Sequence, residues 1–172
     1  MPPKNVDKLI AAASQQFIEQ AWIFRFPNVV GPRTTHGVIY DFVRKLQANC
    51  RSLQVLGDGT QEKPYLHVSE LVAAMLHCRA RSHEKINCFN IGVSDSATTV
   101  RYIAEKVISM VSPAAEIQYG QGNRGWVGDV PRFRYSTRKL NALGFTPQLT
   151  SNQAVDLAIN EITKEFLARE HP

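Results

Sequence analysis

The sequence has few cysteines and no apolar stretch that is long enough to cross a lipid bilayer. Its three cysteines, Cys50, Cys78 and Cys88, form no C-x-x-C pair and follow no spacing that is typical of a metal site. The first residues, MPPKNVDKL, show no signal-peptide pattern. An odd number of cysteines in such a chain is typical of reduced thiols. We therefore expect a cytoplasmic protein with no bound metal and no membrane partner.

Clusters of one charge are also missing. The chain has 20 Lys and Arg residues against 15 Asp and Glu residues, which gives a net charge of +5 with neutral histidines. The basic residues are scattered and form no run, so they do not indicate a nucleic-acid-binding segment. We expect either an anionic partner or an ordinary solvated basic surface, and no nucleic-acid partner.

The chain lacks a glycine-rich loop in the place that a dinucleotide cofactor requires. Such a loop, G-x-G-x-x-G, lies between a strand and a helix. The letters GQGNRG at residues 120–125 match this pattern formally, but they precede WVGDVPRF and not an apolar helix. The sequence therefore predicts that residues 120–125 are not a cofactor loop.

What the sequence does contain is an alternation of strand and helix patterns over 172 residues. Helical spacing of apolar residues predicts a helix over roughly residues 5–20 and a second one over GVIYDFVRKLQAN. Between them, AWIFRFPNVVG is short, apolar and rich in aromatic and β-branched residues, which predicts one buried strand. Thr150 and Gln153 form a capping-box pattern at the start of a long last helix. This layout predicts an α/β fold.

Two further helices are predicted in the middle of the chain. Ser69 can cap ELVAAMLHCRA, and either Thr98 or Thr99 opens VRYIAEKVISMV. Helical spacing gives the first of these two helices a core face made of Leu71, Val72, Met75 and Leu76.

Five motifs then point to a family: FRFPNVVGPR, GDGTQEKPYLHVSE, FNIG, TVRYIAEKV, and RGWVGDVP followed by RKLNALGFTP. In this order they closely resemble the C-terminal half of NAD-dependent nucleotide-sugar epimerases and 4,6-dehydratases, which belong to the extended short-chain dehydrogenase/reductase family. The resemblance implies the α/β substrate-binding portion of such an enzyme, with the last Rossmann helix and strand but no complete Rossmann domain. It divides the chain into a Rossmann remnant, residues 1–36, and a nucleotide-sugar-binding portion, residues 37–172.

The resemblance also assigns substrate-binding positions. It places the loop GDGTQEKPY against the nucleotide and its diphosphate, with Lys63 where the family usually has arginine. A lysine supplies a point charge and not a two-pronged contact. His67 falls at a structural position, which implies a packed histidine bonded to backbone, and core packing is the alternative role for Val55. The implied substrate-binding residues are Asn28, Val38, Ile39, Gln54, Val55, Leu56, Lys63, Arg124 and Asp129.

The catalytic pattern that the resemblance implies is incomplete in this chain. The family's chemistry uses a Tyr-x-x-x-Lys pair on one helix, where the spacing of four puts both side chains on one face. Aligned on that pair, Lys8 stands at the cofactor-binding lysine position and Lys4 stands at the tyrosine position. We therefore expect no catalytic residue here. Although the family uses NAD(P), we expect that this chain alone does not bind it tightly.

Two functions remain open from the sequence. The first is the substrate-binding part of an NAD-dependent nucleotide-sugar epimerase or dehydratase, an isomerase or a lyase. The second is a non-catalytic nucleotide-sugar-binding or assembly module that works with a separate Rossmann-half chain. Both imply a nucleoside-diphosphate sugar as ligand. Because a Rossmann remnant exposes an apolar strand and helix, we also expect either a homodimer or a complex with a Rossmann-half protein.

Overall fold

The computed structural model describes residues 8, 12–13, 17–93, 97–123, 125 and 135–170, with the backbone alone at residues 169–170. Most of the helix predicted over residues 5–20 lies outside these ranges. The described strands are β1 Ala21–Arg25, β2 Asn28–Val30, β3 Ser52–Val55, β4 Glu62–Lys63, β5 Tyr65–His67, β6 Ile86–Asn90, β7 Thr98–Thr99 and β8 Glu116–Tyr119. The described helices are α1 Val38–Ala48, α2 Val68–Arg81, α3 Val100–Val111, α4 Arg138–Ala142 and α5 Ser151–Glu170.

The strands form four pairs. β1 pairs with β6, β2 with β5 and β3 with β8, all in parallel, whereas β4 and β7 are antiparallel. Parallel neighbours require crossover connections, and helices supply them here, as in other α/β proteins. The β1–β6 pair joins residues on both sides of the division predicted at residue 36, and that division stays a prediction.

The apolar segment that was predicted as one strand is two strands, so that prediction was wrong. Strands β1 and β2 are separated by Phe26 and Pro27 and pair with different partners. Proline has no backbone N–H and cannot continue a strand ladder as donor. The chain therefore leaves the β1–β6 pair at Pro27 and enters the β2–β5 pair.

Three predicted helices are confirmed, two of them together with their predicted starting residues. Helix α1 buries the apolar stripe that its spacing indicated. At the start of α3, Thr99 Oγ1 accepts the N–H of Tyr102 at 3.1 Å. The capping box before α5 is complete, since Thr150 N–H donates to Gln153 Oε1 at 2.9 Å and Gln153 N–H donates to Thr150 Oγ1 at 3.3 Å.

The core face predicted for helix α2 was wrong in part. The helix buries Leu71, Ala74 and Cys78, whereas Val72 and Leu76 are 48% and 60% exposed. Both sets have helical spacing, so periodicity alone does not separate them. The buried set packs in the same apolar cluster as residues of β5 and β6, and contact with those strands decides which face turns inward.

Two apolar cores lie on either side of strand β5. One is built by α1, β3, α3 and α5 and includes Tyr65, and the other is built by β5, α2, β6 and α4 and includes Leu66. Successive side chains of a strand point to opposite faces, so neighbouring residues of β5 serve both cores. Helix α5 is fixed on this strand, because the buried Ser151 Oγ accepts the N–H of Tyr65 at 2.6 Å.

A tyrosine and a carboxylate connect α3 to α5 within the first core. The hydroxyl of Tyr102 donates to Asp156 and lies 2.9 and 3.0 Å from its two carboxylate oxygens. Burial, and then this contact with Asp156, raise the pKa of Tyr102 to about 12.

The Tyr102→Phe variant should change how stability depends on alkaline pH. Below pH 10.0, the ordinary pKa of tyrosine, the phenol is protonated in both states and its contribution is complete. As the pH rises to about 12, the unfolded chain ionises first, so the free energy of unfolding falls. The variant should be about 1 kcal/mol less stable at pH 8 and should lose less stability by pH 12. Urea unfolding across this range measures both, and equal losses in the two proteins would contradict the role of Tyr102.

Candidate functional site

A cleft of about 720 Å³ opens between strand β2, the loop 31–37, helix α1 and the segment 56–63. A volume of this order is typical of small-molecule sites. The lining residues are 26–31, 34, 36–42, 45, 56, 61, 63, 65, 100, 125 and 162.

The first turn of helix α1 forms one wall of this cleft. Its N-cap residue, Gly37, has a φ of 103° and makes no side-chain capping bond. The first N–H groups of a helix have no carbonyl partner inside the helix, and the helix dipole places partial positive charge there. These N–H groups can donate to an anion, and the carboxylate of Asp41 in the same turn also lines the cleft.

The loop before α1 is fixed by a carboxylate of helix α5. Arg33 has a φ of 61°, and its backbone N–H donates to both carboxylate oxygens of Glu165, at 2.9 and 3.1 Å. Close packing fixes the loop at Gly31 as well, because a Cβ there would lie 2.6 Å from Val68 Cγ1. These contacts give the rim of the cleft a defined backbone path.

The segment 56–63 is held by its own hydrogen bonds and by helix α3. Asp58 Oδ1 accepts the N–H and the hydroxyl of Thr60 at 2.9 and 2.6 Å, and these bonds lower the pKa of Asp58. Arg101 Nη2 donates to the Asp58 carbonyl at 3.0 Å, and its guanidinium lies 4.2 Å from the ring centroid of Tyr119. The turn before Lys63 is thus held by contacts within the protein.

The structure brings five of the predicted substrate-binding residues together. Asn28, Val38, Ile39, Leu56 and Lys63 line the cleft, and their binding roles stay predictions.

The other predicted positions lie elsewhere or outside the described residues. Gln54 and Val55 are not part of the cleft lining, and Val55 is a core residue at 3% exposure. Lys8 is exposed and does not line the cleft either. Arg124, Asp129 and Lys4 fall outside the described residues.

Sequence reasoning missed several polar residues of the cleft, among them Lys45 and Gln61. Lys45 Nζ donates to the Gln54 carbonyl at 3.0 Å. Gln61 is 2% exposed; its Nε2 donates to the Leu56 carbonyl at 3.1 Å, and its Oε1 has no partner among the described residues. The helical pattern held a signal for Lys45, which follows Val38 by two turns and so shares its face. No comparable signal marks Gln61.

Two Tyr-x-x-x-Lys spacings were also missed, and neither has the environment of a catalytic pair. The hydroxyl of Tyr102, four residues before Lys106, donates to Asp156, and its pKa is raised. The hydroxyl of Tyr135, four residues before Lys139, donates to a backbone carbonyl at 3.3 Å, and burial raises its pKa. A tyrosine that accepts a proton needs a lowered pKa, and neither pair lines the cleft.

His67 is packed and bonded to backbone as expected, and it also contacts two side chains. It is 3% exposed and is the N-cap of α2 in place of the predicted Ser69, because its Nδ1 accepts the Ser69 N–H at 3.3 Å. The Ser69 hydroxyl also lies 2.7 Å from Nδ1, and Glu161 Oε2 lies 2.9 Å from Nε2. This pattern assigns the ring proton to Nε2 and joins the start of α2 to α5.

The GQGNRG segment, residues 120–125, is described except at residue 124. The glycines after β8 are engaged with the segment 55–58, since Gly120 N–H donates to the Val55 carbonyl at 3.0 Å and Gly122 accepts the Asp58 N–H at 2.7 Å. Their backbone is therefore not arranged around a diphosphate. In the same described ranges, no group of three or more His, Cys, Asp or Glu side chains could hold a metal ion. No described helix has the length and apolarity that a bilayer crossing requires.

Comparison with known proteins gives one family and one fold. Residues 5–92 match the model of the NAD dependent epimerase/dehydratase family. The dTDP-D-glucose 4,6-dehydratase of Mus musculus is 24% identical over 177 residues, which cover 95% of this chain and 49% of the relative.

Solved structures agree with this match. A crystal structure of UDP-galactose 4-epimerase superposes with a TM-score of 0.77 at 32% identity, over 92% of this chain and 50% of the other. The UDP-glucose 4-epimerase of Thermotoga maritima, solved with UDP-glucose, gives a TM-score of 0.75 at 21% identity, over 94% and 52% of the two chains. The chain thus spans about half the length of these relatives, and the predicted fold class is confirmed.

The Gly59→Ala variant should destabilise the protein more than a matched glycine variant does. Gly59 has a φ of 80°, and a Cβ there would lie 2.7 Å from Tyr119 Cε1. Gly144 has a φ of 82° with open space around it, so Gly144→Ala carries only the backbone cost of about 1–2 kcal/mol. We expect Gly59→Ala to cost at least ~1 kcal/mol more in urea unfolding, because Tyr119 must shift. Equal costs would show that the segment 56–63 yields to the added methyl group.

Proposed function

The chain belongs to the NAD dependent epimerase/dehydratase family, and from this premise we propose that it binds a nucleoside-diphosphate sugar in the cleft. The observation that carries the proposal is the convergence on one cleft of groups that suit a diphosphate. The side-chain amide of Asn28 can donate to a phosphate oxygen, and Lys63 brings a positive charge. The uncapped start of α1 adds backbone N–H groups.

Apolar side chains in the same cleft support a nucleotide over a free phosphate. Leu56 and Phe26 line the cleft and are 65% and 49% exposed. Such apolar surface can contact a base or a sugar ring. The neighbouring polar groups can bind the phosphates attached to it. The relatives agree with this, since the dTDP-D-glucose 4,6-dehydratase, the UDP-galactose 4-epimerase and the UDP-glucose 4-epimerase are each named for a nucleoside-diphosphate sugar.

We propose that the chain is the substrate-binding part of a nucleotide-sugar epimerase or dehydratase. The described residues supply no Tyr-x-x-x-Lys pair at the cleft. In this proposal, Asn28, Lys63 and the start of α1 hold the diphosphate, and a Rossmann half supplies NAD(P) and the proton-transfer groups. The alternative is a non-catalytic module that binds the nucleotide sugar and works with a separate Rossmann-half chain.

The Lys63→Ala variant should bind UDP-glucose about 1–3 kcal/mol less tightly than the wild-type chain, because it removes a charge-assisted contact to phosphate. Lys63→Arg should keep the affinity. The control is Lys164→Ala, which removes an exposed charge on α5 outside the cleft lining. Isothermal calorimetry measures all four proteins, and NAD in the same cell should give no micromolar binding.

Unchanged affinity in Lys63→Ala would remove Lys63 from the site. If no nucleoside-diphosphate sugar bound to the wild-type chain, the proposed function would be wrong. Micromolar binding of NAD would instead show that the chain forms a cofactor site of its own.

We also propose that the outer edge of β1 is covered by another polypeptide. Ala21 N–H and the Arg25 carbonyl bond to the side of β6, so the peptide groups of Trp22 and Phe24 face the other edge. No described strand pairs there. An uncovered strand edge readily pairs with another chain, and a second copy or a Rossmann half are the two candidates.

Light scattering of the purified chain should give a homodimer, or a complex once a Rossmann-half protein is added. Amide hydrogen exchange then locates the contact. The N–H groups of Trp22 and Phe24 should become as slow as that of Ile23, which faces β6. A stable monomer at high micromolar concentration, with fast exchange at Trp22 and Phe24 and no response to a Rossmann half, would contradict the proposal.

A further inference from the structure

Two backbone carbonyls, one near the end of strand β3 and one just after it, already accept hydrogen bonds from side chains on the edge that faces away from β8. The Val55 carbonyl accepts the Gly120 N–H at 3.0 Å, which shows that Val55 faces β8. The Gln54 carbonyl, one residue earlier, accepts Lys45 Nζ at 3.0 Å. Beyond the strand, the Leu56 carbonyl accepts Gln61 Nε2 at 3.1 Å. Lys45, Leu56 and Gln61 all line the cleft.

The position of Lys45 separates it from the groups that suit a diphosphate. It lies seven residues after Val38 on α1, which is about 10 Å along the helix axis. This separation is comparable with the distance from the phosphates of a nucleotide to its base. Lys45 Nζ is held by the Gln54 carbonyl and lies 5.8 Å from the ring centroid of Phe42. An ammonium has three N–H donors and no acceptor, so two donors remain beyond the bond to Gln54.

We propose that Lys45 determines which base the cleft accepts, and that it favours bases with a carbonyl oxygen at the outer edge over bases with an amino group there. Uracil, thymine and guanine carry the oxygen, whereas cytosine and adenine carry the amino group. An ammonium donates to the oxygen but has no acceptor for the amino group. Two backbone carbonyls beside the cleft, those of Gln54 and Leu56, already bond to Lys45 and Gln61, and Gln61 Oε1 has no partner among the described residues. This inference rests on the proposed binding of a nucleoside diphosphate.

The test uses ligand pairs with an oxygen in one member and an amino group in the other; UDP and CDP also differ at ring nitrogen N3, and GDP and ADP also differ at N1 and at the 2-amino group of guanine. Calorimetry on the full chain compares UDP with CDP and GDP with ADP, with inorganic pyrophosphate as a ligand without a base. The wild-type chain should bind UDP and GDP about tenfold or more tighter than CDP and ADP, the discrimination expected of one well-placed polar contact. In Lys45→Met, which keeps the length of the side chain and removes its charge, both ratios should fall to about one.

Further variants separate this effect from folding and from general attraction. Lys45→Gln should also lose the preference, since an amide can donate or accept. Lys45→Arg should retain it. The matched control is Arg44→Met, which removes an exposed charge at the neighbouring position of α1 outside the cleft lining and should leave both ratios unchanged. Thermal melting shows whether Lys45→Met and Lys45→Gln are folded. One folded variant of the two is enough to test the preference.

Equal binding of UDP and CDP by the wild-type chain would overturn the role of Lys45 and leave the proposed function standing. If Lys45→Met weakened all four nucleotides and pyrophosphate by the same factor, Lys45 would be a phosphate ligand and the inference would be wrong. Absence of binding by every nucleotide would overturn the inference and the proposed function together.

Discussion

Strand β5 contributes to both apolar cores, and the rest of the structure depends on this position. Its three residues are buried, with Tyr65 in one core and Leu66 in the other. Strand β2 pairs with it, and the backbone of Tyr65 bonds to the buried Ser151 at the start of α5. A shift of β5 by one residue would exchange these two side chains between the cores. The register of β5 therefore fixes β2 and α5, and with them two sides of the cleft.

Helix α5 contacts both strand β5 and the loop at the rim of the cleft. Glu161 and Glu165 are one turn apart and so lie on the same face of the helix. The first contacts His67 at the end of β5, and the second accepts the backbone N–H of Arg33 in the loop before α1. One long helix thus supports both the strand and the loop. Lys63 is carried by β4, which pairs with β7 directly before α3. The groups around the cleft are consequently positioned by contacts within the protein.

Local patterns in the sequence predicted much of this fold. The capping box of Thr150 and Gln153 and the apolar stripe of α1 both describe residues within two turns of each other, and both are confirmed. The predictions that failed depend on distant contacts. The single strand through Pro27 is two strands because β6 and β5 lie in different pairs, and the exposed Val72 matched the helical period as well as its buried neighbour Leu71.

The sequence by itself determined the family, through five motifs in order, and most of the elements, because hydrogen bonds and side-chain contacts between near neighbours select helices and turns. Only the tertiary structure decided that Asn28, the start of α1 and Lys63 face one cleft, and that Lys45 and Gln61 join them. It also decided that Tyr102, despite its Tyr-x-x-x-Lys spacing, donates a hydrogen bond to Asp156. The physical reason is the same in each case. The environment of a side chain depends on residues distant in the sequence, and those are brought near only when the two cores pack against strand β5.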